Sequence, residues 1–127
     1  MPASKAVIAS TEIAARAILE KLGSDLVAID LSDQLVLSEV FLIATGQNIS
    51  MVSAIADEVE RQLSLVGQKS MRRENGAEWI LIDFSDLVVH VQSEELRRYY
   101  MLDRLWSDCP TIPLQAVKDD LNRAQSE

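Results

Sequence analysis

The 127-residue chain is short of the residues that most often carry chemistry: it has one cysteine, one histidine, four glycines and three prolines. A single cysteine, Cys109, excludes an intramolecular disulfide and fits a reducing compartment, so the expected location is cytoplasmic. Cys109 runs directly into Pro110 with no histidine near it in sequence, so the base that a thiol nucleophile needs is missing. The few glycines form neither a GxGxxG nor a GxxxxGK phosphate loop. No apolar run approaches the roughly 20 residues that span a bilayer, so no membrane association is expected. The opening MPASKAVIAS has no long apolar core and a single cation, Lys5, and does not read as a signal peptide. Positive charge is also scarce: 12 Lys and Arg stand against 20 Asp and Glu, for a net charge of −8. Such a surface repels phosphates, so little direct nucleic-acid binding is expected. A basic protein partner suits it better, because opposite charge speeds encounter and aids selection.

What is present is the composition of a soluble globular domain, 48% apolar and 25% charged, with enough length for one ordinary core. Ile13, Ala14, Ala17, Ile18 and Leu22 share a helical face, which predicts a helix over about 10–22 ended by Gly23. DLVAIDL reads as a short strand, SDQLVLS as a polar link, and EVFLIATG as a strand buried on both faces. Val52, Ile55, Ala56, Val59, Leu63 and Val66 predict a second helix, capped by Asn48 or Ser50, with Asp57, Glu58 and Glu60 on its other sides. SMRREN allows a brief strand before the Asn75-Gly76 turn, and AEWILIDF with LVVHV predicts an antiparallel hairpin. SEELRRYYMLDRLW predicts one continuous third helix with Ser93 as N-cap. Its Leu96, Tyr99, Tyr100 and residues 102–105 are expected to contact the sheet. Together these elements predict an α/β fold: a single domain with a mixed β-sheet flanked by helices. The domain is expected over 1–109. A polar tail follows over 110–127, where Leu114, Val117 and Leu121 suggest a short, frayed helix.

Three constellations merit a chemical reading. DFSDLVVHV packs Asp83, Asp86 and His90 into eight residues, but a metal needs about three converging ligands and one of these aspartates lies in the turn. A surface histidine with aspartates bonding their own backbone is the simpler expectation. IATGQNIS places a glycine between strand and helix, a layout that can seat a phosphate. The paired strand carboxylates that would hold Mg²⁺ for phosphoryl transfer are missing, so neither catalytic residues nor a metal or cofactor are expected. Finally, Trp79, Tyr99, Tyr100 and Trp106 are four of six aromatics, and Arg97 and Arg98 lie beside them. Such residues anchor protein interfaces. By strand alternation Trp79, Leu81 and Asp83 share the more polar face, which favours an interface, whereas Tyr99 and Trp106 are expected to pack the helix onto the sheet.

In order and with matching spacing, FLIATG, AIADEVERQL, WILIDFSDLVVHV and EELRRYYMLDRLW resemble the bacterial ribosomal silencing factor (RsfS, Iojap) family over residues 10–107. The resemblance implies a nucleotidyltransferase-like fold without the catalytic residues. It also implies binding to the large ribosomal subunit through its ribosomal protein number fourteen. Joining with the small subunit is then blocked, chiefly in starvation or stationary phase; self-association as dimers is implied as well. Two alternatives stand beside it: a residual nucleotidyltransferase and a large-subunit assembly factor. Carried over position by position, the partner-binding residues are Trp79, Leu81, Asp83, Asp86, His90, Glu94, Glu95, Arg97, Arg98 and Tyr100. One departure lies at Gln47–Met51, where the family usually has a small hydroxyl residue followed by arginine or histidine.

Overall fold

The computed structural model describes residues 3–34 and 38–125. Helix α1 spans Lys5–Glu20 and begins earlier than the apolar periodicity suggested, because the extended Ser4 caps it by accepting from the Val7 amide at 3.2 Å. Strand β1 (Ser24–Asp30) follows, bulged at Asp25, where φ is 52°. Within the SDQLVLS link, residues 35–37 lie outside the described residues. Strand β2 (Val40–Gly46) is the buried run anticipated from its composition. Helix α2 (Ile49–Leu65) is capped by Asn48, whose carboxamide oxygen accepts from the Met51 amide at 2.9 Å. SMRREN does form a strand, β3 (Arg72–Asn75), and the hairpin is β4 (Trp79–Asp83) with β5 (Leu87–Ser93).

The five strands are ordered β1-β2-β5-β4-β3, with β2 and β5 parallel and every other pair antiparallel, so the sheet is mixed as expected. Parallel pairing of β2 with β5 requires the chain to cross over, and α2, β3 and β4 fill that crossover. Helices α1 and α2 cover one face. Their Ala14, Ile18, Val52, Ile55 and Leu63 pack on Leu42, Ile80, Ile82, Val89 and Val91 to form the main core. Each fully buried Ile or Leu there contributes about 1.5–3 kcal/mol. The second face carries a smaller cluster over β1 and β2, where Ile29, Leu31, Ile43 and Cys109 meet Phe41, Leu102 and Trp106. Trp106 thus packs onto the sheet as expected.

Three expectations need correction. The third helix is not continuous. It divides into α3 (Glu94–Tyr100) and α4 (Leu102–Leu105) at Met101, whose φ of 48° is left-handed and cannot continue a right-handed helix. Neither piece contains a fully buried residue, and Tyr99, expected against the sheet, is 79% exposed. Glu58 does not project outward. It is buried beside Arg61 and Gln62, which donate to its carboxylate at 2.7–3.0 Å.

The C-terminal segment is docked. Thr111 bridges to Ile29, the Ile112 amide donates to the Ala28 carbonyl at 2.8 Å, and the Asp30 amide donates to the Pro110 carbonyl at 2.8 Å. Helix α5 (Gln115–Gln125) then lies on α1, where the Glu12 carboxylate accepts from the Gln115 and Ala116 amides at 2.7 and 3.0 Å. A carboxylate satisfying two orphan amides at a helix N-terminus is a favourable cap.

Candidate partner-binding face

The register defines the composition of the second face of the sheet. Trp79, Leu81 and Asp83 of β4 lie opposite Gln92, His90 and Val88 of β5, which in turn lie opposite Thr45, Ile43 and Phe41 of β2. Alternation therefore places all nine side chains on one side. The Leu102–Trp106–Cys109 segment covers only the β1–β2 half. Trp79, Leu81 and Asp83 remain half-buried, with Tyr100 at the end of α3 packed against Trp79.

Aromatic rings link the two halves. Trp106 meets Phe41 edge-on at 6.2 Å between centroids, and Phe41 meets the His90 ring at 5.0 Å. Trp79 lies 5.9 Å from His90 and 5.1 Å from Tyr100, which in turn touches Tyr99 at 5.0 Å. The Trp79 indole Nε1–H donates to His90 Nδ1 at 3.2 Å, which fixes the neutral tautomer with its proton on Nε2. His90 is only 5% exposed, so the expectation of a surface histidine is overturned: the rings of Phe41 and Trp79 enclose it. Burial alone pushes its pKa down from 6.5 to about 4. Among the described residues, neither His90 Nε2 nor the side-chain carboxamide of the fully buried Gln92 finds a hydrogen-bond partner.

The residues singled out by sequence do not form one cluster. Trp79, Tyr100 and His90 converge, with Leu81 and Asp83 continuing the same strip along β4. Asp83 Oδ1 also accepts from the Ser85 amide at 2.8 Å, the local turn bond anticipated for it. Asp86 lies in that turn, at the opposite end of the hairpin from Trp79 and exposed. Arg97 is a second correction to the surface set, since its side chain is 11% exposed. Its Nη1 donates to the Thr45 hydroxyl at 2.9 Å, and it sits 3.9 Å from Asp103. Burial lowers its pKa while Asp103 and Asp25 hold it up, so it acts as an internal strut for α3. Phe41, Thr45 and Gln92 belong to this face and were not singled out. The polar residues at alternate positions 90 and 92 of β5 were the one available signal for them.

Glu94, Glu95 and Arg98 line a separate open groove of about 630 Å³ at the β2–α2 loop, together with Gln47, Asn48, Ile49, Ser50, Glu78 and Ser93. The amides at the start of α2 favour an anion, but three glutamates line the same groove and would repel a phosphate. Among the described residues, no group of three or more His, Cys, Asp or Glu could hold a metal ion. No helix among them is long and apolar enough to cross a membrane.

Comparison with known proteins gives this face a context. The family model described as "Ribosomal silencing factor during starvation" matches residues 4–127, and so takes in the docked C-terminal segment. The ribosomal silencing factor of Bacillus subtilis is 37% identical over 105 residues, 81% of this chain and 89% of that protein. That of Halalkalibacterium halodurans is 35% identical over 108 residues, 84% of this chain and 92% of that protein. A crystal structure of a protein from Chromobacterium violaceum superposes with a TM-score of 0.75 at 31% identity, over 78% of this chain and 84% of that one. A second, from Bacillus halodurans, gives a TM-score of 0.71 at 35% identity, over 81% and 95%. Sequence and fold agree, and the chain belongs to the ribosomal silencing factor family.

Proposed function

We propose that this protein binds the large ribosomal subunit in the cytoplasm through ribosomal protein number fourteen. Its bulk then prevents the small subunit from joining, which represses translation in starvation or stationary phase. The observation that carries this reading is the Trp79–Leu81–Asp83 strip, an uncovered, half-buried stretch of sheet with Tyr100 packed against its tryptophan. Buried aromatic anchors with a charged rim are the usual energetic core of a protein interface. The net charge of −8 favours a basic partner such as a ribosomal protein. The action is steric and involves neither turnover nor cofactor.

The test is subunit joining with purified 30S and 50S particles. Excess protein is expected to suppress 70S formation, and Trp79→Ala is expected to weaken co-sedimentation with 50S by about 2 kcal/mol while the domain stays folded. Joining that proceeds unaffected would remove the silencing reading, and unchanged co-sedimentation would remove Trp79 from the contact. Light scattering with and without 50S particles shows whether a homodimer forms and competes with the ribosome for the same strip.

A further inference from the structure

A histidine at position 90 is a poor choice for stability alone. Apart from Gln92 and the tryptophan it bonds, its neighbours on that face are Phe41, Ile43, Leu81 and Val88, so an apolar side chain would fit without desolvating an imidazole. Among the described residues its Nε2 has no partner, and the imidazole's hydrogen bond is the one from the Trp79 indole at 3.2 Å. Native interiors rarely leave buried polar atoms unsatisfied, and the exceptions call for an explanation. The partner cannot reach His90 directly, because it is 5% exposed. Behind it, Phe41 abuts the imidazole and Trp106 abuts Phe41, so the ring that receives the indole bond is itself wedged against the second core.

We propose that His90 is a positioning residue for partner binding: its Nδ1 holds the Trp79 indole in one orientation, with Tyr100 packed on the ring, before the partner arrives. This rests on the docking reading above. A free tryptophan on a sheet surface samples several rotamers, and ordering it on contact weakens binding. An anchor fixed by a hydrogen bond from below has already lost that freedom, as a preorganised site requires.

Three substitutions separate positioning from packing. An asparagine carboxamide oxygen falls close to where the imidazole Nδ1 lies, whereas a glutamine reaches toward Nε2, and phenylalanine offers no acceptor. In His90→Asn the Trp79 indole proton, assigned by ¹⁵N NMR against Trp106→Phe, should remain slow to exchange with solvent. In His90→Phe and His90→Gln it should exchange at least about tenfold faster, as expected when about 1.4 kcal/mol of protection is lost. Co-sedimentation with 50S particles should follow the same order. Asn should stay within about threefold of the unsubstituted protein, with Phe and Gln about tenfold weaker. His90→Phe should be at least as stable as the unsubstituted protein in urea, so its weaker binding would not reflect unfolding. Asn and Gln place the same amide group at the site, and the one extra methylene of Gln moves the acceptor away from the Nδ1 position. Binding by His90→Phe equal to that of the unsubstituted protein, or Asn behaving like Gln, would overturn the proposal. If the unsubstituted protein itself does not bind 50S, the docking reading fails. The exchange pattern then still decides whether His90 fixes Trp79.

Discussion

Lowering the pH from 7.5 to 4 should destabilise this domain through one residue, and the size of the effect follows from its surroundings. Burial among Phe41, Ile43, Leu81 and Trp79 pushes the His90 pKa from 6.5 down to about 4. The charged groups on the same face do not compensate. Asp83 lies one cross-strand pair away, within 4.0 Å of Arg72; Glu74 sits opposite Leu81 on β3; and Arg97 is tied to Thr45. Between pH 6.5 and about 4 the unfolded chain binds a proton at His90 and the folded one does not, so stability falls as the pH falls. The stability is fully present above 6.5. At about 1.4 kcal/mol per pKa unit, some 3 kcal/mol is gone by pH 4, a large share of the roughly 5–15 kcal/mol available to a domain. Asp30 and Glu58, whose carboxyl pKa values are lowered, add their own loss of stability as the pH falls, so the informative quantity is a difference. Urea unfolding followed by circular dichroism at half-unit pH steps, for the unsubstituted protein and His90→Phe, should give curves that diverge steadily below pH 6.5. Parallel curves would mean that His90 titrates normally, and the enclosure described for it would be wrong.

Other consequences can be tested separately. Arg97→Ala should cost about 1–3 kcal/mol, because it strips a hydrogen-bond partner from the buried Thr45 hydroxyl. Adding Thr45→Val should recover much of that loss in urea midpoints, whereas simple additivity would show that the bond contributes little. Glu12→Ala should cost about 1–2 kcal/mol and speed amide hydrogen exchange along α5, since it removes both acceptors at that helix N-terminus. Unchanged protection would show that Leu114 and Ala116 alone hold the helix. Met101→Gly should raise the unfolding free energy by about 0.5–1 kcal/mol, read as a higher urea midpoint, by relieving a left-handed backbone. A lowered midpoint would show that the Met101 side chain outweighs its strain.

Much of the architecture was legible because its signals were local. The apolar run of β2, the helical stripe of α2 and the hairpin of β4 and β5 each declare themselves within a dozen residues. What escaped depended on what covers a residue rather than on which face it takes. Alternation grouped Trp79 with Leu81 and Asp83, but the β4–β5 register is what sets His90 against Leu81, and its burial comes from Phe41, nearly fifty positions earlier, brought under it by the β2–β5 register. Arg97 looked like a surface cation because the short α3 has no periodicity to reveal which side meets Thr45. The helix break at Met101 carries neither glycine nor proline, so composition was silent. The Glu12 cap joins residues 103 and 104 positions apart, beyond any pattern readable along the chain.

The two ends of the sheet bear on how this protein can meet others. An open strand margin invites a second chain to add backbone hydrogen bonds and grow a continuous ribbon. On one side Pro110–Ile112 already occupies part of β1, using the Ala28 carbonyl and the Asp30 amide that a visitor would need. On the other, β3 is four residues long and reads Arg-Arg-Glu-Asn, too short and too charged to template a neighbour. Lateral polymerisation is therefore disfavoured at both margins. Under the proposed docking, a partner would meet the open strip through side chains rather than added backbone bonds, so substitutions there would tune the contact.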